Sequence, residues 1–238
     1  MARIMDLTAD HVARAHRLVA DPGAAAAALH SDADYAEKVQ AILATNPAPD
    51  QPIRLFAYGS LIWKPEIPHI AEVEATAHGW HRSFCLKQTR FRGAPDLPGL
   101  MMVLDRGGQC KGMLYTLPTE DQSGQLDRLF RREFTVKPIT NMPRWITVTV
   151  GGQKAAALAF VMNRASANYA GRLAPEAVAD VLSKACGHVG SGAEYLFNTV
   201  SHLEAKGIHD SALWRLQRLV AQRIEAAPPA AQGHPRPR

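Results

Sequence analysis

A chain of 238 residues, 47% hydrophobic and 21% charged, carries enough apolar material for a real core and too little charge for wholesale disorder. Its 17 glycines and 16 prolines are too few for a collagen-like or low-complexity chain, and no apolar run approaches the roughly 20 residues that span a bilayer. The net charge of +5 invites nucleic acid, but its densest spots, Arg90 with Arg92 and Arg131 with Arg132, form no aromatic-interleaved basic stripe, so neither nucleic acid nor membrane is expected as a partner.

The N-terminus mixes acids and bases without the apolar stretch of a secretory signal, and a cytoplasmic location is expected. Thr8 is a suitable N-cap for a helix over 9–20, with Val12, Ala15, Leu18 and Val19 on one face. Asp32 can cap a second helix carrying Tyr35, Val39, Ile42 and Leu43, and the alanine-rich run 24–30 between the two is helix-friendly but unpatterned. The proline-rich stretch 45–52 reads as a linker, because each proline disfavours helix at the residue before it.

From Ile53 the pattern turns to strands. A short apolar strand ends at Gly59-Ser60, and residues 80–86 alternate with a period of two. Segments 99–105 and 109–117 flank Arg106-Gly107-Gly108, and 145–150 and 155–162 flank Gly151-Gly152; both read as hairpins, since glycine accepts the positive φ of a tight turn. Between these hairpins, Thr119-x-x-Gln122 has the form of a capping box opening a helix to about Phe134. Pro175 opens a helix over 175–186, Ser191-x-x-Glu194 is a second capping box opening 191–206, Gly207 fits the position after that helix, and Asp210 caps 211–226. An α+β fold with a curled sheet or small barrel follows, divided into a helical extension 1–52, a domain 53–227 and a proline-rich, disordered tail 228–238.

Two features carry chemistry. Glu133 falls on the apolar stripe of its helix, three, four and seven residues after Phe130, Leu129 and Leu126. A carboxylate on a buried face must be paired, protonated or functional, and apolar surroundings raise its pKa toward the range useful for proton transfer. A helix-end glutamate paired with Arg131, Arg132 or a distant cation is the structural alternative. The second feature is Phe56-Ala57-Tyr58-Gly59-Ser60-Leu61-Ile62-Trp63, a strand that stops at Gly-Ser and can leave backbone N–H groups free to hold a carboxylate or an oxyanion. An ordinary strand-to-loop turn is the alternative there. The dinucleotide and phosphate-loop glycine patterns are absent. Cys85, Cys110 and Cys186 have no metal-site spacing, and His78 and His81 sit badly for a shared metal, so neither cofactor nor metal is expected.

Taken together, FAYGSLIW, RGAPDLPG, LFRREF, NYAG and GSGAEYLFNT occur in an order that resembles the ChaC family of γ-glutamylcyclotransferases, from about Leu55 to Val220. The resemblance implies a mixed β-barrel with surrounding helices and a lyase that converts glutathione to 5-oxoproline and cysteinylglycine. It also implies Glu133 as general acid/base and Ala57, Tyr58, Gly59, Ser60, Leu61 and Ile62 as the substrate loop, with Tyr195 on the pocket wall. The chain departs from the family pattern at Ala57, where many relatives carry Gly, and at Pro98-Gly99-Leu100, where many carry Pro-Gly-Arg; Arg90 or Arg92 is then left to supply that charge. Other γ-glutamyl amino acids or amines as substrates, or a non-catalytic binding module on the same fold, remain open alternatives at this level.

Overall fold

The structure, a computed structural model, describes residues 3–24 and 28–227; the tail 228–238 and the middle of the alanine-rich run lie outside the described residues. Five strands form a closed barrel: β1 (Arg54–Ala57), β2 (Ala71–Gln88), β3 (Gly99–Thr116), β4 (Asn141–Val150) and β5 (Gln153–Met162), in the spatial order β1-β3-β2-β4-β5. Parallel pairings of β5 with β1 at Leu55↔Leu158 and with β3 at Leu104↔Val161 close it.

The two glycine pairs behave differently. Gly151 and Gly152, at φ +54° and +82°, make the expected tight turn between β4 and β5. Gly107 and Gly108 also have positive φ, but the chain does not reverse there: residues 99–116 form one strand of 18 residues, paired with β2 from Gln88↔Gly99 to Ala71↔Thr116. The register shifts between His78 and Trp80, so the glycines insert a bulge rather than a hairpin. The unbroken strand β2 offers partners on both sides of the bulge, and the added bend and twist suit a long strand wrapping a barrel. The reversal is made instead by loop 89–98, which carries Arg90 and Arg92.

Helices surround the barrel: α1 (Ala9–Ala15), α2 (Asp32–Ala44), α3 (Ser60–Trp63), α4 (Gln122–Glu133), α5 (Pro175–Leu182), α6 (Gly192–Ala205) and α7 (Ser211–Ala226), with a two-residue hairpin of β6 (Cys186–Gly187) and β7 (Gly190–Ser191) before α6. Thr8 caps α1, but the helix ends at Ala15 rather than residue 20; Leu18 is 99% exposed, so its apolar spacing meets no surface to pack on. Ser31, not Asp32, caps α2, and Asp121, not Thr119, caps α4 by accepting from the Gly124 N–H. α5 ends at Leu182, ahead of the predicted 186, because Cys186 is drawn into β6. Asp210 caps α7 as expected. Leu7, just ahead of α1, and Tyr35, Val39 and Ile42 of α2 join the core shared with the barrel. Each such buried side chain contributes about 1.5–3 kcal/mol.

Candidate active site

A cavity of about 640 Å³ opens between the end of β1, the end of α4, the end of β2 with the start of loop 89–98, and the start of β4. Glu133 stands in its wall as the last residue of α4. The helix is held down by Leu126, Leu129 and Phe130, all fully buried, and this places the next turn's glutamate against the cavity. The Glu133 side chain is only 13% exposed. Its contacts are long: Arg132 Nε lies 3.3 Å from Oε1, and Asn141 Nδ2 donates to Oε2 at 3.4 Å. Burial pushes the carboxyl up to about 7, with Arg132 opposing and Glu66 adding a smaller push. Its place at a helix C-terminus disfavours negative charge in the same sense. Arg132 is itself shared, donating to the Pro65 carbonyl at 2.6 Å and pairing with Glu66 at 3.2 Å, which leaves Glu133 imperfectly neutralised.

The loop after β1 faces this carboxyl. Ile62 N–H returns to the Gly59 carbonyl at 2.8 Å, while the N–H groups of Gly59 and Leu61 find no acceptor among the described residues. The Tyr58 carbonyl is clamped by Arg82, whose Nε donates to it at 2.7 Å and whose Nη1 pairs with Asp210 at 3.0 Å. Tyr58 is buried and its phenol is raised well above the ordinary range, first by burial and then by the charge of Glu133. The Tyr195 hydroxyl lies over Gly59, where an added Cβ would come within 2.7 Å of it. Burial pushes that phenol up to about 12, against the pull of Arg92 and of Ser60. Gly59 has φ −141°, so its glycine answers to the close approach of Tyr195 and Met102 and not to a left-handed turn.

Glu133, Tyr58, Gly59, Ser60, Leu61 and Tyr195 therefore meet in one cavity. Ala57 and Ile62 do not reach it: Ala57 pairs with Met113 inside the barrel and Ile62 packs into the core. Leu100 is likewise buried away from the cavity, whereas Arg90 and Arg92 both line it. Glu194 does not close the expected capping box; the Ser191 hydroxyl accepts from the Glu194 N–H, but the carboxylate pairs with Arg92 Nη1 at 2.7 Å.

Sequence reasoning missed Arg82, Asn141 and the N-terminal wall. Pro22, Gly23, Ala24 and Ala28 line the cavity, and the segment is tied across by Ala28 and His30 to Lys137 and Thr135. For Arg82 the period-two pattern of 80–86 was the one available signal, since it put an arginine among apolar residues. Among the described residues no group of three or more His, Cys, Asp or Glu side chains could hold a metal ion, the three cysteines are free and buried, and no helix is long and apolar enough to cross a membrane.

Residues 53–223 match the family model described as ChaC-like protein. The chain is 33% identical over 188 residues to the glutathione-specific gamma-glutamylcyclotransferase of Escherichia coli (strain K12), covering 78% of this chain and 79% of that one. It is 28% identical over 169 residues to glutathione-specific gamma-glutamylcyclotransferase 1 of Homo sapiens, covering 68% and 74%. Among solved structures, a selenomethionine-labelled gamma-glutamyl cyclotransferase specific to glutathione from yeast superposes with a TM-score of 0.65 at 18% identity, over 73% of this chain and 97% of that one, a likeness of fold.

Proposed function

We propose a function from one premise: this chain belongs to the ChaC-like protein family. It is a carbon–nitrogen lyase that cleaves glutathione to 5-oxoproline and cysteinylglycine. The observation that carries the reading is Glu133, a poorly neutralised carboxyl raised to about 7 in the cavity that also holds the loop Tyr58–Leu61.

In this reaction the substrate supplies its own nucleophile. Glu133, as a carboxylate, takes a proton from the α-ammonium, and the freed amine attacks the γ-carbonyl carbon to close the five-membered ring. The tetrahedral oxyanion faces the N–H groups of the Gly59–Leu61 loop, held in place through Arg82 and the Tyr58 carbonyl. The bond to the cysteinyl nitrogen then breaks as that nitrogen receives a proton from Glu133, while the attacking nitrogen gives up its second proton; the surplus proton leaves with the product amine. A carboxyl near 7 serves both directions of transfer at neutral pH. Because attack is intramolecular, folding the γ-glutamyl arm against Gly59 and Tyr195 supplies much of the rate. The catalytic unit is residues 53–227 with the helices of 1–52 packed on it. The three free cysteines fit work in a reducing compartment, the cytoplasm.

The test is incubation with glutathione and with several γ-glutamyl dipeptides, followed by detection of 5-oxoproline. Release from glutathione above the other compounds supports the assignment. Release from none of them would falsify it.

A further inference from the structure

We propose that Arg90 reads the C-terminal carboxylate of the peptide substrate and that Asp21 stands in that carboxylate's place when substrate is absent. This rests on the proposed reaction and names what selects the far end of its substrate.

Five cationic residues line the cavity, Lys87, Arg90, Arg92, Arg132 and Lys137, against Glu133 as the one acid among the described lining residues. Glutathione brings two carboxylates and one ammonium. The ammonium belongs at Glu133 and the nearer carboxylate beside the reacting centre, so a second carboxylate needs a partner toward the mouth. Two of the cations are anchored in the fold, and a third is paired with a carboxylate that caps α2. Arg92 is 7% exposed and its Nη1 holds both the Ser191 carbonyl and Glu194. Arg132 ties the Pro65 carbonyl and Glu66, and Lys137 pairs with Asp34 at 2.6 Å. Arg92 is anchored through Nη1, whereas Arg90 keeps its whole fork on a carboxylate that a substrate can replace.

Arg90 presents Nε and Nη2 as a fork on the two oxygens of Asp21, at 2.6 and 2.7 Å. That fork is the arrangement by which a guanidinium selects a carboxylate. The two side chains are 25% and 40% exposed, and an ion pair so open to water adds little to stability. Displacing Asp21 therefore costs little, whereas a substrate carboxylate, already positioned by the rest of the bound ligand, keeps most of the worth of the contact. Asp21 has little else to hold it: the Gly23 N–H donates to it at 3.0 Å and His188 Nδ1 stands 3.5 Å away. Lys87 has no carboxylate within 4.0 Å among the described residues and adds attraction without the fork.

The experiment measures Kd by calorimetry for glutathione and for its C-terminal amide, on a Glu133→Gln background that binds without turnover. Release of 5-oxoproline by the parent is scored separately, so a failure of the reaction and a failure of this inference are read from different assays. The background should prefer the acid to the amide by roughly tenfold, the size of a charge-assisted contact. Adding Arg90→Met should abolish that preference by weakening glutathione alone, and adding Asp21→Asn should tighten glutathione by removing its competitor. Opposite signs for the two replacements are the signature. If the pair is only a latch on the N-terminal segment, both weaken binding together and affect acid and amide alike, which overturns the proposal. So does a background with no preference for the acid, or a preference lost with Lys87→Met and kept with Arg90→Met.

Discussion

Replacing Glu133 by glutamine should stabilise the fold while removing its chemistry, and the gain should grow with pH. The carboxyl is raised from 4.5 to about 7, chiefly because burial strips its ionised form of water. A raised carboxyl binds its proton more tightly in the folded state than in the unfolded chain. Folding then takes up a proton between these two values, so stability is lost as pH rises from the unfolded pKa through the folded one. At about 1.4 kcal/mol for each pH unit, Glu133 disfavours the native state by roughly 3 kcal/mol above neutrality and by almost nothing at about pH 4. The amide has nearly the same volume and no charge to desolvate, so Glu133→Gln escapes that cost.

The assay is thermal unfolding of the parent and the variant across this range. For a chain of this size the expected gap is on the order of 6–12 °C at about pH 8, closing toward zero at about pH 4. Turnover of glutathione should fall by about 10²–10⁴, the usual contribution of a positioned general acid/base. A variant no more stable than the parent at the higher pH would mean that Glu133 is ionised at little cost, leaving its perturbed proton affinity without support. A variant that cleaves glutathione at the parental rate would remove Glu133 from the reaction.

The kcat/KM of the parent should rise through an acid limb centred near pH 7, since the base must be ionised to accept the ammonium proton; a limb centred near 4.5 would contradict the burial of Glu133. Gly59→Val should nearly abolish turnover, because its Cβ would meet the Tyr195 hydroxyl at 2.7 Å and Met102 Cε at 3.1 Å, whereas Ser60→Ala leaves every loop N–H in place and should be mild; steady-state kinetics on folded variants decide the order. Arg82→Met should lower stability by about 1–3 kcal/mol in denaturant titration, because it leaves the Tyr58 carbonyl without its donor and Asp210 without its cation, and a neutral outcome would show that the loop is held by other contacts.

What could be read in the chain depends on how far apart in sequence the cooperating groups lie. Glu133 was legible because Leu126, Leu129 and Phe130 fix the buried face of its own helix, so one turn of periodicity aims the carboxyl inward. The Gly151-Gly152 turn was legible for the same reason, its two strands being neighbours in the chain. Arg106-Gly107-Gly108 carries the same local chemistry and was misread, because only the partner strand β2, continuous across it, decides between a turn and a bulge. Asp121 was passed over as a cap because Thr119 offered the commoner pattern; the choice fell to a left-handed residue at φ +50°, which no spacing announces. The cavity's charge pattern lay furthest beyond reach. Arg82 meets Asp210 across 128 residues and Arg90 meets Asp21 across 69, distances at which periodicity carries nothing and barrel closure carries everything. Cavity groups presented by one helix or one loop are therefore visible early, while the charged groups around them emerge only once the barrel has brought its loops together. The segment between the N-terminal helices, which fell outside every motif, reaches the cavity wall by that same route.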